Sequence, residues 1–294
     1  MGFISLHKWT KLNEGGNAIK QAERLTYDEA LELLDFIHEN ILPKLNITKN
    51  DISLIGSFGK KPKNETYGDL DVVVDKNKLF KNNNLKTDED GLIFINAVLS
   101  DFNIQSKIYK GMVQVSAGFP VPSSNKIVQV DFMLSPSLEW SKFIYHSPDF
   151  TKNESKYKGV YRNALLFAII TELNKEVVKR TENGDIEELE QDIVRMPHGI
   201  YRSRKTWRGK KGLVKNPKTL KDFYKFITLD PQEVVNLTVG PKYTIDDISS
   251  FEKLWNIINK PDYIHKDKLE DIIIKLKMNL KSMGLEEPEE IKTF

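Results

Sequence analysis

Asp69 and Asp71 stand two residues apart in the run Asp69-Leu70-Asp71-Val72-Val73-Val74. Such a run reads as a β-strand, whose period of two sets both carboxylates on one face and turns Leu70 and Val72 to the other. Two carboxylates a pleat apart offer oxygen ligands to a hard cation, the ligand set that Mg²⁺ prefers alongside substrate phosphates. Upstream, Ile52-Ser53-Leu54-Ile55 reads as a short buried strand. Gly56-Ser57 follows at once, then a polar loop that carries Lys60, Lys61 and Lys63 and ends in Gly68. Glycine lets a backbone come close to a ligand, and a serine hydroxyl and N–H can hold phosphate oxygens. Asp pairs on surface strands are common; a strand, a Gly-Ser, a basic loop and an Asp-x-Asp strand in that order are not.

The stretch Ile52 to Asp75 resembles the signature of the polymerase-β-type nucleotidyltransferase superfamily, an apolar strand with Gly-Ser followed by Asp-x-Asp on the next strand. Its loop, GSFGKKPKNETYGDLDVVV, is most similar to the polymerase X branch, though slightly longer. The family uses a third carboxylate on a later strand, and Lys126 to Leu134 supplies a single acid, Asp131, in an otherwise apolar run. Alternation sets Gln129, Asp131 and Met133 on one face, with Val128, Val130 and Phe132 on the other. A lone Asp in such a strand is costly to bury unless it is paired or binds a metal; a strand-edge acid bridged to a lysine is the alternative. A segment Tyr145-His146-Ser147 before a helix also follows in similar order. The chain before Ile52 is too short for the DNA-binding and lyase domain of those polymerases, and their Tyr-Phe-x-Gly-Ser segment is not reproduced. The resemblance therefore covers the catalytic core, residues 50–135, and says little about the substrate.

The resemblance implies a reaction in which a hydroxyl attacks the α-phosphate of a nucleoside triphosphate and pyrophosphate leaves, assisted by two Mg²⁺ ions that Mn²⁺ can replace. It makes Asp69, Asp71 and Asp131 the catalytic metal ligands, the first two bridging both ions and the third holding the ion that activates the hydroxyl. Gly56 and Ser57 grip the β- and γ-phosphates, with Lys60 or Lys61 as counter-charge. Four acceptors stay open: a 3′ end of RNA, tRNA included; DNA; a protein side chain or small molecule, as in toxin-like and antibiotic-resistance-type relatives; or none, in a member that only binds nucleotide or nucleic acid. The three acids and the Gly-Ser together argue against the last.

The elements that must position these residues are legible along the chain. With 294 residues, the chain can build two cores. Thr26 and Glu29 form a capping box that opens an amphipathic helix through Ile41, ended with the help of Pro43. His38 in this helix reads as a surface or satisfied histidine, and His198 beside Met196-Pro197 as structural. The polar segment after Asp75 reads as a loop, Gly91–Phe102 as a helix, and Ile104–Tyr109 and Met112–Phe119 as strands before the Asp131 strand. Because the last two strands form a hairpin, the sheet is mixed rather than parallel. Beyond Pro136, a helix capped by Ser137, the apolar stretch Gly159–Leu173, and segments at Pro217–Ile227, Asp230 onward, Ile245–Ile257 and Lys266–Leu280 read as helical. The expected architecture is an α/β catalytic domain with a mixed sheet, residues 1–135, followed by an all-helical substrate-binding domain, residues 136–294.

Formal net charge is +2, which by itself argues for no particular partner, but its distribution is uneven. Thr181–Asp192 holds six acids and no base, read as a solvated helix start. Tyr201–Phe226 holds ten Lys or Arg against one Asp, interleaved with Trp207, Phe223 and Tyr224. Phosphates attract such a block and exposed rings stack on unpaired bases, so Arg202, Arg204, Lys205, Trp207, Arg208, Lys210 and Lys211 are candidate nucleic-acid contacts, with RNA favoured. A solvated basic loop, or Arg202, Arg204 or Lys205 folded onto the triphosphate, are the alternatives. The chain has no cysteine, which excludes disulfides and thiolate metal sites and suits a reducing cytoplasm. No apolar run is long enough for a signal peptide or a bilayer span, so a soluble cytoplasmic protein is expected.

Overall fold

A computed structural model describes residues 18–110, 113–173, 176–182, 185–196, 198–208 and 224–292, with the backbone alone at 176–182, 185–196, 202–208 and 224–225. The chain divides into two compact units, Met1–Gly159 and Val160–Phe294.

The first unit is built on a five-stranded sheet in the order β1-β2-β5-β4-β3. Its strands are β1 (Ile52–Ile55), β2 (Asp69–Asp75), β3 (Gln105–Tyr109), β4 (Gln114–Pro120) and β5 (Ile127–Ser135). β2 runs antiparallel to β1 and parallel to β5, while β3, β4 and β5 form an antiparallel meander. The sheet is therefore mixed. The parallel β2–β5 pair is what needs a long crossover, and α2 (Lys76–Asn83), α3 (Asp88–Asp101), β3 and β4 supply it.

Alternation divides the sheet. Leu70, Val72 and Val74 of β2, Val115, Ala117 and Phe119 of β4, and Val128, Val130, Phe132 and Leu134 of β5 turn to one core. That core is closed by Leu33, Leu34, Ile37 and Ile41 from α1 (Tyr27–Phe36) and its continuation, and by Leu92, Ile95, Val98 and Leu99 from α3. With so many branched side chains removed from water, this face fixes the register: a one-residue slip of β2 or β5 would turn its apolar set to the wrong side. The opposite face is polar where β2, β5 and β4 meet, and the site lies there. α4 (Leu138–Ile144), capped by Ser137 as expected, lies against β1 and β2.

Helix α1 begins at the expected capping box, with Thr26 and Glu29 exchanging hydrogen bonds. Glu29 also accepts from Ser124 and pairs with Lys126 at 2.9 Å, tying the helix start to the turn between β4 and β5. The segment after Asp75 is a helix rather than a loop. Asp75 itself caps it, accepting from the N–H groups of Asn77 and Lys78, and a polar helix anchored chiefly by Leu79 shows little hydrophobic period.

The second unit carries most of the helices expected of it and, after the first of them, a sheet that corrects the expectation of an all-helical half. α5 (Gly159–Glu172) is buried on most sides through Ala164–Ile170. The buried guanidinium of Arg162 donates to the Ile248 carbonyl at 2.9 Å. α6 (Pro231–Thr238), α7 (Phe251–Ile258), α8 (Leu269–Met283) and α9 (Glu289–Lys292) follow later in the chain. Between them runs an antiparallel sheet in the order β6-β7-β8-β9, formed by Glu176–Glu182, Asp185–Met196, Gly199–Arg208 and Tyr224–Thr228. Of the acidic block, Thr181–Glu182 end strand β6 and Asp185–Asp192 lie in strand β7, where a helix start was expected. The segment Tyr224–Ile227, expected at the end of a helix, is in strand β9; residues 217–223 lie outside the described residues. The physical reason is register: Glu187 stands opposite Arg180 on one side and Arg208 on the other, Glu188 opposite Lys179, and Glu190 opposite Lys205. Opposite charges across strands stabilise a ladder whose sequence has the composition of a helix. No helix among the described residues is long and apolar enough to cross a membrane.

Candidate metal centre

Asp69, Asp71 and Asp131 converge on the polar face of the first sheet. One carboxylate oxygen from each lies within 4.8 Å of those of the other two. Backbone pairing brings this about. β2 and β5 run parallel with Asp71 directly opposite Asp131, and Asp69 lies one pleat before Asp71 on the same face. Like charges directly opposite one another destabilise a sheet by themselves. Asp71 shows the strain: burial, then Asp69, then Asp131 push its carboxyl well above the ordinary carboxylate range. Burial also raises Asp131, which is 6 % exposed, while hydrogen bonds from Ser116, Gln129 and Gln114 act the other way. A sheet that turns its apolar residues to one core thus gathers three carboxylates at one point of its other face.

The donor set suits a hard divalent cation. Carboxylate oxygens on two adjacent strands can share one ion, and a bound charge of +2 would relieve the repulsion that raises Asp71.

Gly56 ends β1 where Ile55 pairs with Asp71. Its φ is +73°, and a Cβ built there would lie 2.5 Å from Asp71 Oδ2. Glycine is required twice over, by the left-handed backbone and by the carboxylate seated against it. Ser57 opens the following turn, its carbonyl accepting from the Lys60 N–H at 3.0 Å. The loop is held by aromatic rings: Phe58 stacks on Tyr27 at 5.5 Å and packs against the buried Tyr67 at 5.3 Å. Lys61 lies over the Tyr67 ring and Lys63 over Tyr27. The Lys60 carbonyl accepts from the Phe150 N–H at 2.8 Å. The Gly-Ser turn is therefore brought to the acids, and the lysines lie in a loop packed beside it.

The basic block is in the second unit. Arg202, Arg204, Lys205, Trp207 and Arg208 are on β8, described by backbone alone, and Lys210 and Lys211 lie outside the described residues.

The sequence reading assigned no role to Gln129, Gln114 or Ser116. Gln129 is 3 % exposed, and its Nε2 donates to both oxygens of Asp131, at 3.1 and 3.0 Å. Gln114 Nε2 donates to Ser116 Oγ at 2.9 Å, and Ser116 is opposite Asp131 in the β4–β5 register. The available signal was polar residues at period two, Gln114 with Ser116 and Gln129 with Asp131, inside otherwise apolar strands. Neither a protein-family model nor a curated protein matches the chain.

Proposed function

We propose that the chain is a metal-dependent nucleotidyltransferase of the polymerase-β type, moving a nucleoside monophosphate from a nucleoside triphosphate to an acceptor hydroxyl with release of pyrophosphate. The observation that carries this reading is the convergence of three carboxylates from β2 and β5 beside a glycine turn that only glycine can make. When bound, Mg²⁺ supplies positive charge for the attacking and leaving oxygens of an in-line displacement. Asp69, Asp71 and Asp131 would hold it. The turn at Gly56-Ser57 offers backbone N–H groups and a hydroxyl to the phosphates, and the Lys60–Lys63 loop adds charge of the right sign.

For the acceptor, nucleic acid is the first reading, RNA ahead of DNA, because ten basic residues with interleaved aromatic rings lie in Tyr201–Phe226. A second reading, a protein side chain or small molecule, is favoured by the β7–β8 register, which matches part of the basic strand with acids and so gives its charge a structural use. A lack of cysteine fits action in a reducing cytoplasm. The test is transfer of label from each of four α-labelled nucleoside triphosphates, with Mg²⁺, to RNA, DNA, protein or small-molecule acceptors. Label on RNA that disappears in Asp71→Ala and Asp131→Ala supports the reading. Label on protein or a small molecule keeps the chemistry and replaces the acceptor. No Asp-dependent label on anything refutes the function.

A further inference from the structure

Gln129 occupies a position that packing alone does not explain. It is buried in β5, two residues before Asp131 on the polar face. Every polar atom of its amide is used. Oε1 accepts from the N–H groups of Ala18 and Ile19, at 2.9 and 3.2 Å. Nε2 donates to both oxygens of Asp131. The orientation of the amide is unambiguous, because two backbone N–H groups can only donate and a carboxylate can only accept.

We infer that Gln129 is a positioning residue for the metal centre, and that the backbone at Ala18–Ile19 sets it. This inference rests on the reading of the three acids as cation ligands. The two N–H groups fix the amide carbonyl, so the NH₂ group must face Asp131. Its hydrogen bonds hold both Asp131 oxygens in place. Ser116 and Gln114 also donate to Asp131, and the lone pairs that these three donors do not use would serve the cation. Partners of ligating carboxylates act in this way: they orient the ligand without touching the metal, and their loss typically costs about 10–100-fold in affinity. The link spans 111 residues of sequence between Ala18 and Gln129, so the lead-in to the first helix becomes part of the site.

The test uses Mn²⁺ alone as probe, titrated into the full chain and followed by the paramagnetic resonance of the free ion, with circular dichroism to verify the fold. Gln129→Met keeps volume and removes the amide; Mn²⁺ affinity should fall about 10–100-fold. Ala18→Pro removes one N–H and leaves both side chains of the Gln129–Asp131 pair intact. It should cost about several-fold in wild type and add nothing in the Gln129→Met background, the non-additivity expected of one linked chain of contacts. If Gln129→Met does not fold, the Ala18→Pro effect decides alone. A folded Gln129→Met that binds Mn²⁺ as wild type does, while Asp131→Ala does not bind, overturns the positioning role and leaves the metal centre standing. Wild type that binds no Mn²⁺, or Asp131→Ala that binds it normally, overturns the metal centre and this inference together.

Discussion

At the scale of single residues, the centre is a conflict that the fold tolerates. Asp71 lies on a strand whose Leu70, Val72, Val73 and Val74 are all buried, opposite one acid and a pleat from another. Its carboxyl is raised, first by burial and then by Asp69 and Asp131. A raised carboxyl holds its proton more firmly folded than unfolded, so without metal the cost to stability is absent in acid. The cost grows as pH rises from the ordinary carboxylate range through the raised value. Asp71→Asn should therefore melt higher than wild type at neutral pH in chelator, by about 2–4 °C if the relief is about 1 kcal/mol. The gain should vanish in acid and with saturating Mg²⁺. Thermal melts across pH, with and without Mg²⁺, check this; a gain independent of both would mean that Asp71 is merely a poor strand residue. Gly56 gives a second test. Gly56→Ala forces a Cβ to 2.5 Å from Asp71 Oδ2 in a left-handed backbone. It should weaken Mn²⁺ binding by about tenfold or more and cost about 1–2 kcal/mol in stability. Unchanged Mn²⁺ affinity in a folded Gly56→Ala would show that the turn does not serve the acids.

At the scale of elements, Glu29 joins the first helix to the β4–β5 turn, and with it to the strand that carries Asp131. Burial works to raise its carboxyl, but hydrogen bonds from the Thr26 N–H, Lys126 and Ser124, with the charge of Lys126, outweigh that and hold it at about 2. Its contribution is present above the ordinary glutamate value and is lost as pH falls through about 2. Glu29→Gln should destabilise the first unit by about 1–3 kcal/mol near pH 7, and the difference from wild type should shrink in acid. Urea unfolding at both pH values measures it; a difference of equal size in acid would contradict the assignment. The second unit poses an element-scale question in the pairing of β7 with β8. If the basic block serves nucleic acid, replacing Arg202, Arg204, Lys210 and Lys211 by Ala should weaken RNA binding and flatten its salt dependence by roughly one unit of log–log slope per lost phosphate contact. If RNA binding is unchanged, the strand's charge serves the ladder with β7.

At the scale of the whole molecule, what was legible in the sequence was local. Asp69 with Asp71, and Asp131 within Val128–Leu134, announce their faces through a period of two that needs no knowledge of the fold. The Thr26–Glu29 capping box likewise lies within one helical turn. What was not legible depends on partners far along the chain. Strands β6 to β8 mix charged with apolar residues without a clean period of two, and Glu and Leu in β7 favour helix until the opposing Arg and Lys are known. The tie from Ala18 and Ile19 to Gln129, and through it to Asp131, exists only once the strands are assembled. The helix after Asp75 was missed for another reason, a surface too polar to show a period. The central claim is that the three acids catalyse nucleotidyl transfer, and the most direct measurement is transfer from α-labelled nucleoside triphosphates to total RNA, with wild type, Asp71→Ala and Asp131→Ala compared in Mg²⁺ and in chelator. Label is expected on RNA from wild type in Mg²⁺ only, with background from both variants while their circular dichroism stays that of the folded chain. Transfer that persists in either folded variant, or in chelator, would contradict it.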